Sequence, residues 1–208
     1  MYTLYYIPGA CSMAVHIVLN ELGQDVKLEN VSGDTRPADF LKINPRGQVP
    51  VLTKEGLVMR EGAAILIYLM EKHNSPILPR SGSEHEAMLE WLMFCNATLH
   101  PAYGKAFFAR RNFTGDVQDQ VLTVAVEQIN KLWKEVENRL EQSPYLAGKD
   151  CTAPDILLTV IANWSPNIPK PVGIGPKAKE LFKKVIERPA YQKALATEGV
   201  EYKVLTPA

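Results

Sequence analysis

The sequence predicts a small mixed α/β domain followed by an all-helical domain. Over residues 1–74, short β-branched or aromatic runs alternate with amphipathic stretches, whereas beyond residue 84 apolar residues recur only at helical spacing. Residues 75–83 contain Pro76, Pro79 and Gly82 without periodicity, which is typical of a linker. We therefore expect domains at 1–74 and 84–208, joined by a linker at 75–83.

Each element of the first domain has its own signal. Apolar residues at helical spacing over Ser12–Leu22 predict a helix that Gly23 ends. Lys54-Glu55-Gly56 between two short apolar runs predicts a hairpin. In chain order we expect strand Thr3–Ile7, helix Ser12–Leu22, strand Val26–Val31, helix Pro37–Ile43, strands Val49–Thr53 and Leu57–Met59, and helix Glu61–Lys72.

The second domain is predicted to contain helices alone. Pro101 falls inside a long helical pattern and removes a backbone hydrogen bond, so we expect a bend there. The expected helices cover residues 84–111, 117–141, 153–165, 176–187 and 189–197.

Composition excludes several classes of function. The 23 basic and 23 acidic residues balance, so neither a nucleic-acid surface nor a membrane surface is expected. The N-terminus lacks the features of a signal peptide, and no apolar run is long enough to span a bilayer, so a cytoplasmic location is expected. The three cysteines are widely spaced, which argues against a disulfide framework and a cysteine metal site.

Cys11 is the strongest candidate for a reactive group. It follows a strand and a Pro-Gly turn at the start of a predicted helix, where unpaired N–H groups and the helix dipole favour a thiolate and lower its pKa. The alternative is a packing cysteine. Ala14 stands three positions later, where a dithiol site would have a second cysteine, so a redox-active Cys11 requires an external thiol.

Two further pairs point to a peptide-like ligand. Val49-Pro50 is a candidate cis peptide that would leave the Val49 backbone free to pair with an extended peptide. Taken alone, the pair favours the alternative of an ordinary trans proline at a strand start. Glu61-Gly62 opens a helix directly after a strand, where N–H groups could hold a carboxylate and Glu61 an ammonium. The alternative is that Glu61 only offsets the helix dipole.

Seven short motifs together resemble the beta class of bacterial glutathione transferases, and the resemblance covers nearly the whole chain. Their order and spacing are more specific than any one of them. They are Tyr5-Tyr6-Ile7-Pro8-Gly9-Ala10-Cys11-Ser12, Asn44-Pro45-Arg46-Gly47-Gln48-Val49-Pro50-Val51-Leu52, Glu61-Gly62-Ala63-Ala64-Ile65, Glu90-Trp91-Leu92, Leu99-His100, Thr152-Ala153-Pro154-Asp155 and Glu187-Arg188-Pro189.

The resemblance implies a thioredoxin-like domain followed by a helical domain, a homodimer, and glutathione as co-substrate without a metal. It implies that Cys11 faces the glutathione sulfur and can form a mixed disulfide with it. Ser12 is then expected to donate a hydrogen bond near that sulfur, with Tyr6 close by, and His100 lines the same cleft from the helical domain.

The resemblance also implies a set of binding residues. Val49 would pair through its backbone with the cysteinyl part of glutathione, with Pro50 cis, and Glu61 and Gly62 would hold its γ-glutamyl end. Gln48 is also expected to bind glutathione. The chain departs from the family pattern in the helical domain. Pro101 replaces the lysine that follows the histidine, and Met93 replaces an asparagine found in many relatives.

These features predict an enzyme that conjugates glutathione to small electrophiles, exchanges it with disulfides, or both. A cysteine at the site favours disulfide exchange, because it competes for the glutathione sulfur. Two alternatives stay open: a glutathione-dependent isomerase or dehalogenase on the same fold, and a non-catalytic binding or regulatory protein. Retention of Cys11 and Glu61 argues against the second alternative.

Overall fold

The computed structural model describes residues 1–33 and 35–206. It contains one four-stranded sheet and a series of helices. The strands are β1 Tyr2–Tyr6, β2 Val26–Asn30, β3 Val51–Lys54 and β4 Leu57–Arg60. The α-helices are α1 Ser12–Glu21, α2 Ala38–Ile43, α3 Gly62–Lys72, α4 Gly82–Met93, α5 His100–Asn112, α6 Gly115–Leu140, α7 Ala153–Ala162, α8 Pro176–Ile186 and α9 Pro189–Glu198. The predicted α/β order of the first domain is confirmed.

The sheet has the strand order β2-β1-β3-β4. β1 and β2 are parallel and are connected through α1, as a parallel pair requires, whereas β3 is antiparallel to both β1 and β4. Alternate residues Tyr2, Leu4 and Tyr6 of β1 are buried on one face. The apolar periodicity of the sequence therefore located these elements to within about two residues of their observed ends.

The chain divides into two compact units, and the last helix belongs to the first one. Unit 1 comprises Met1–Leu78 and Ile186–Glu201, and unit 2 comprises Pro79–Val185 and the chain from Tyr202 onward. This differs from the predicted helical domain at 84–208. The reason is tertiary: Arg188 at the start of α9 donates to Glu21 of α1 from Nε at 2.6 Å and from Nη2 at 3.0 Å.

In unit 2 the long predicted helix at 84–111 is interrupted. A π-helical segment, Phe94–Leu99, separates α4 from α5 and ends two residues before Pro101. The π-helical segment therefore precedes Pro101, at which a bend was predicted because proline lacks a backbone N–H. Further along, α7 begins with a capping box in which Thr152 and Asp155 satisfy each other's backbone N–H groups.

Candidate functional site

Three segments of unit 1 meet at the same end of the sheet. Tyr5 of β1 is paired with Val51 of β3, and Val51 is paired with Arg60 of β4. The carboxyl ends of β1 and β4 and the amino end of β3 therefore lie side by side. Cys11 follows β1, Pro50 precedes β3 and Glu61 follows β4, so the fold brings the three predicted features to one end of the sheet.

Cys11 is the N-cap residue of α1 and is half-buried. Its thiol donates to the Val49 carbonyl oxygen, with Sγ and O 3.4 Å apart, so the helix start and the loop before β3 are in direct contact. The backbone N–H groups of Cys11 and Ser12 favour the thiolate, as the helix-start argument predicted. Burial outweighs them and raises the pKa of Cys11 to about 11. The predicted lowering of this pKa is wrong, because the sequence could not show the desolvation of the sulfur.

The structure places the Ser12 side chain elsewhere than expected. Its hydroxyl is buried, accepts a hydrogen bond from the Ile7 N–H and donates to the Ile7 carbonyl, each at 3.3 Å. The expected hydrogen bond from this hydroxyl toward a sulfur is therefore replaced by one that holds the turn between β1 and α1. Ser12 acts on the thiol through its backbone N–H instead.

Tyr6 lies on the buried face of β1. Burial and the nearby Glu198 carboxylate both raise the pKa of its phenol. Tyr6 therefore stays protonated at neutral pH and cannot act there as a phenolate base.

The loop before β3 presents main-chain groups for pairing. The Val49–Pro50 peptide bond is cis, Pro50 is buried and Gln48 is exposed. Asn44 Nδ2 donates to the Gln48 carbonyl at 2.8 Å, and this hydrogen bond holds the loop in place. Within the described chain, the Val49 N–H has no hydrogen-bond partner, so it is available to an extended ligand.

Glu61 and Gly62 form the junction between β4 and α3. Glu61 has a positive φ of 69°, a conformation that costs a non-glycine residue about 1–3 kcal/mol and that accumulates at functional sites. Its side chain is exposed and pairs with Arg46, with Nη2 and Oε1 3.0 Å apart. Gly62 is the first residue of α3, where N–H groups have no intrahelical acceptor. The junction thus offers a carboxylate and free N–H donors together.

A buried hydrogen-bonded pair that the sequence analysis missed holds the turn before Cys11. The Glu198 carboxylate of α9 accepts from the Gly9 N–H at 3.0 Å through Oε2 and contacts His16 Nδ1 at 2.8 Å through Oε1. The side chains of His16 and Glu198 are 2% and 0% exposed. A buried glutamate 182 residues from its histidine partner has no local sequence signal, because charged residues near the end of a helix are usually solvated.

His100 belongs to unit 2, where its ring lies 5.0 Å from the Trp164 ring. Burial lowers the pKa of His100, so the imidazole is neutral at neutral pH. This counts against the expected role of a cationic histidine that keeps a thiolate charged. Its part in glutathione binding stays a prediction.

The described part of the chain contains neither a metal-binding cluster nor a membrane-spanning helix. Among residues 1–33 and 35–206, no group of three or more His, Cys, Asp or Glu side chains is arranged to hold a metal ion. In the same described residues, no helix combines the length and the apolar character needed to cross a bilayer.

Comparison with known families decides the affiliation. Residues 4–77 match the family described as glutathione S-transferase, N-terminal domain, and residues 85–189 match glutathione S-transferase, C-terminal domain. The chain belongs to the glutathione S-transferase family. The resemblance drawn from the sequence motifs is confirmed, and with it the thioredoxin-like fold of the first unit of this transferase.

Similar proteins span the whole transferase. Glutathione S-transferase GstA of Escherichia coli O157:H7 is 28% identical, with 95% of this chain and 99% of that protein covered. Glutathione S-transferase 3 of Zea mays is 33% identical, with 93% and 92% covered. A third relative, the disulfide-bond oxidoreductase YfcG of Escherichia coli strain K12, is 27% identical, with 94% of each chain covered.

Solved structures of glutathione transferases superpose on this chain. A sphingomonad glutathione S-transferase complexed with glutathione superposes with a TM-score of 0.80 at 30% identity, covering 96% of this chain and 100% of the other. A bacterial beta class transferase from Sphingomonas chungbukensis superposes with a TM-score of 0.82 at 28% identity, with 96% and 100% covered.

Proposed function

We propose that this transferase binds glutathione at the sheet end formed by Cys11, Val49 and Glu61, and conjugates it to small electrophiles. The observation that carries the proposal is the contact between the Cys11 thiol and the Val49 carbonyl, 3.4 Å long. It joins the helix start that can stabilise a sulfur anion to the loop that can pair with a peptide. The sphingomonad relative solved with glutathione supports the choice of ligand.

The binding roles follow from the main-chain groups available. The free N–H of Val49, with its carbonyl beside it, suits the cysteinyl unit of an extended tripeptide, and Gln48 flanks the same segment. At the other end of the ligand, the Glu61 carboxylate complements the γ-glutamyl ammonium. The first-turn N–H groups of α3, beginning at Gly62, complement the neighbouring carboxylate.

The chemistry uses the sulfur of glutathione as the nucleophile. With a pKa of about 11, Cys11 is a neutral thiol at physiological pH, so it serves as an S–H donor to an anionic sulfur rather than as an attacking thiolate. The thiolate of glutathione forms a new carbon–sulfur bond, the leaving group departs with the electron pair, and the proton of glutathione is released to solvent. Cys11 and Ser12 contribute N–H groups at the helix start, where negative charge is favoured.

Thiol–disulfide exchange is the second candidate, because the similar protein YfcG is named a disulfide-bond oxidoreductase. In this reaction the Cys11 thiolate attacks a glutathione mixed disulfide, forms Cys11–S–S–glutathione and releases the other thiolate. A second glutathione thiolate then displaces Cys11 and forms glutathione disulfide. The raised pKa of Cys11 makes the first of these attacks slow at neutral pH.

The experiment separates binding from the two chemistries. Calorimetric titration of glutathione is expected to show saturable binding, weakened roughly tenfold by Glu61→Gln, because a charge-assisted hydrogen bond is lost. Glu55→Gln is the matched control, since Glu55 lies in the β3–β4 turn at the opposite end of the sheet and is exposed. Failure of the unaltered protein to bind glutathione would overturn the proposal.

The Cys11→Ala variant distinguishes the reactions. If conjugation is the main activity, turnover of an aryl halide with glutathione is retained within about threefold, because the nucleophile belongs to glutathione. If Cys11 also carries disulfide exchange, the activity on a glutathione mixed disulfide is abolished in the same variant. Unchanged activity on the mixed disulfide would contradict the role of Cys11 in thiol–disulfide exchange.

We also infer a cytoplasmic homodimer, as the family resemblance implies. Two apolar side chains, Phe108 of α5 and Val124 of α6, are 55% and 67% exposed and line one groove, and an exposed apolar groove often marks an interface. Light scattering after size-exclusion chromatography is expected to give twice the chain mass. A monomer at micromolar concentration would contradict this part of the proposal.

A further inference from the structure

An exposed ion pair at the proposed γ-glutamyl end lacks a structural purpose. Arg46 Nη2 lies 3.0 Å from Glu61 Oε1, and the two side chains are 53% and 61% exposed. Pairs this exposed contribute little to stability, because water solvates both charges almost as well as they solvate each other. The pair nevertheless occupies the carboxylate of Glu61, a residue held at a positive φ.

The two charges match an α-amino acid group. Such a group carries one ammonium and one carboxylate on the same carbon, and Glu61 can take only the ammonium. We propose that Arg46 joins the first-turn N–H groups of α3 in recognising the α-carboxylate of the γ-glutamyl end, and that it exchanges its contact with Glu61 for one with the ligand. This inference rests on the proposed function, since it names a further specificity residue of the same site.

The neighbouring arginines, Arg36 and Arg60, donate hydrogen bonds to main-chain carbonyls. Arg36 donates to the carbonyl of Gly47 at 3.0 Å and to that of Val31 at 3.1 Å, and Arg60 donates to the carbonyl of Ile43. These guanidinium groups fix the loop that carries Arg46. Arg46 instead contacts the exposed Glu61 side chain, so a ligand can replace this contact without breaking the fold.

The Arg46 loop is also ordered before a ligand arrives. The Gly47 N–H donates to the Asn44 carbonyl at 2.9 Å, which closes a turn around Arg46, and Asn44 Nδ2 donates to the Gln48 carbonyl at 2.8 Å. Because the backbone is held on both sides, binding requires only a side-chain rotation. A guanidinium then offers two parallel donors to a carboxylate, a geometry that lysine cannot reproduce.

The test compares glutathione with an analogue that lacks this carboxylate, γ-aminobutyryl-cysteinylglycine, by calorimetric titration. For Arg46→Gln we expect affinity for glutathione to fall roughly tenfold, whereas affinity for the analogue changes less than about twofold. The affinity of Arg46→Lys for glutathione should lie between those of the unaltered protein and Arg46→Gln, because lysine keeps the positive charge but lacks the two parallel N–H donors. Lys42→Gln is the matched control: Lys42 is another exposed cation of unit 1, paired with Asp39 at 2.8 Å, and its loss should affect neither ligand.

Two results would overturn the inference while leaving the proposed function intact. One is an Arg46→Gln variant that binds glutathione as tightly as the unaltered protein. The other is an equal loss for both ligands, which would show that Arg46 acts only by positioning Glu61 or the loop. Absence of glutathione binding by the unaltered protein would instead overturn the proposed function, and this inference with it.

Discussion

Removal of the Glu198 carboxylate is expected to destabilise unit 1 by about 2–6 kcal/mol, because both of its hydrogen bonds are lost together. In Glu198→Ala, the Gly9 N–H and His16 Nδ1 each lose a hydrogen bond to the carboxylate, at 3.0 and 2.8 Å, and the His16 side chain is only 2% exposed. The loss of each such hydrogen bond costs about 1–3 kcal/mol, which gives a total of this size. Glu198→Gln keeps an acceptor for Gly9 and should cost about 1–2 kcal/mol.

The assay is urea unfolding followed by far-UV circular dichroism. Glu187→Ala is the matched control, since Glu187 lies just before α9 and is exposed, and it should change the free energy of unfolding by less than about 0.5 kcal/mol. A local readout accompanies the global one: alkylation of Cys11 should become faster in Glu198→Ala, because the Gly9 turn two residues away is released. Unfolding of Glu198→Ala at the urea concentration of the unaltered protein would refute the reasoning.

Two further predictions concern a titration and a helix cap. Because burial raises the pKa of Cys11 to about 11, its alkylation rate should rise about tenfold per pH unit between pH 7 and pH 10, and a plateau by pH 8 would contradict this. Asp155→Ala removes the acceptor of the Leu146 N–H at 2.8 Å and of the Thr152 N–H at 2.8 Å, so it should destabilise unit 2 by about 2–4 kcal/mol. Thr152→Ala should cost only about 1 kcal/mol, and a reversed order in unfolding monitored by tryptophan fluorescence would contradict this prediction.

Local patterns in the sequence located most of the fold. Strands and helices are marked in the sequence by apolar periods of 2 and 3.6 residues, and turn residues such as Gly23 mark where these elements end. The place of Cys11 at a helix start followed from the same patterns. The assignment of α9 to unit 1 did not, because it depends on Arg188 meeting Glu21 across 167 residues.

The chemical state of the site was harder to predict than its location. The helix start at Cys11 was correctly identified and its N–H groups do favour the thiolate, yet the sign of the pKa shift depends on how much protein surrounds the sulfur. The Ser12 hydroxyl has an acceptor in the Ile7 carbonyl that only the folded turn supplies. Side-chain orientation and burial are properties of the assembled unit, so motif spacing alone could not give them.

The most direct test of the account is whether a glutathione analogue shields Cys11. S-Methylglutathione cannot form a disulfide, so any protection it gives must come from occupying the site beside the thiol. Alkylation at pH 9, followed by peptide mass spectrometry, should show Cys11 modified several-fold more slowly when the analogue is saturating, whereas S-methylcysteine alone should protect little. Equal rates of Cys11 modification with and without S-methylglutathione would contradict the placement of glutathione at Cys11, Val49 and Glu61.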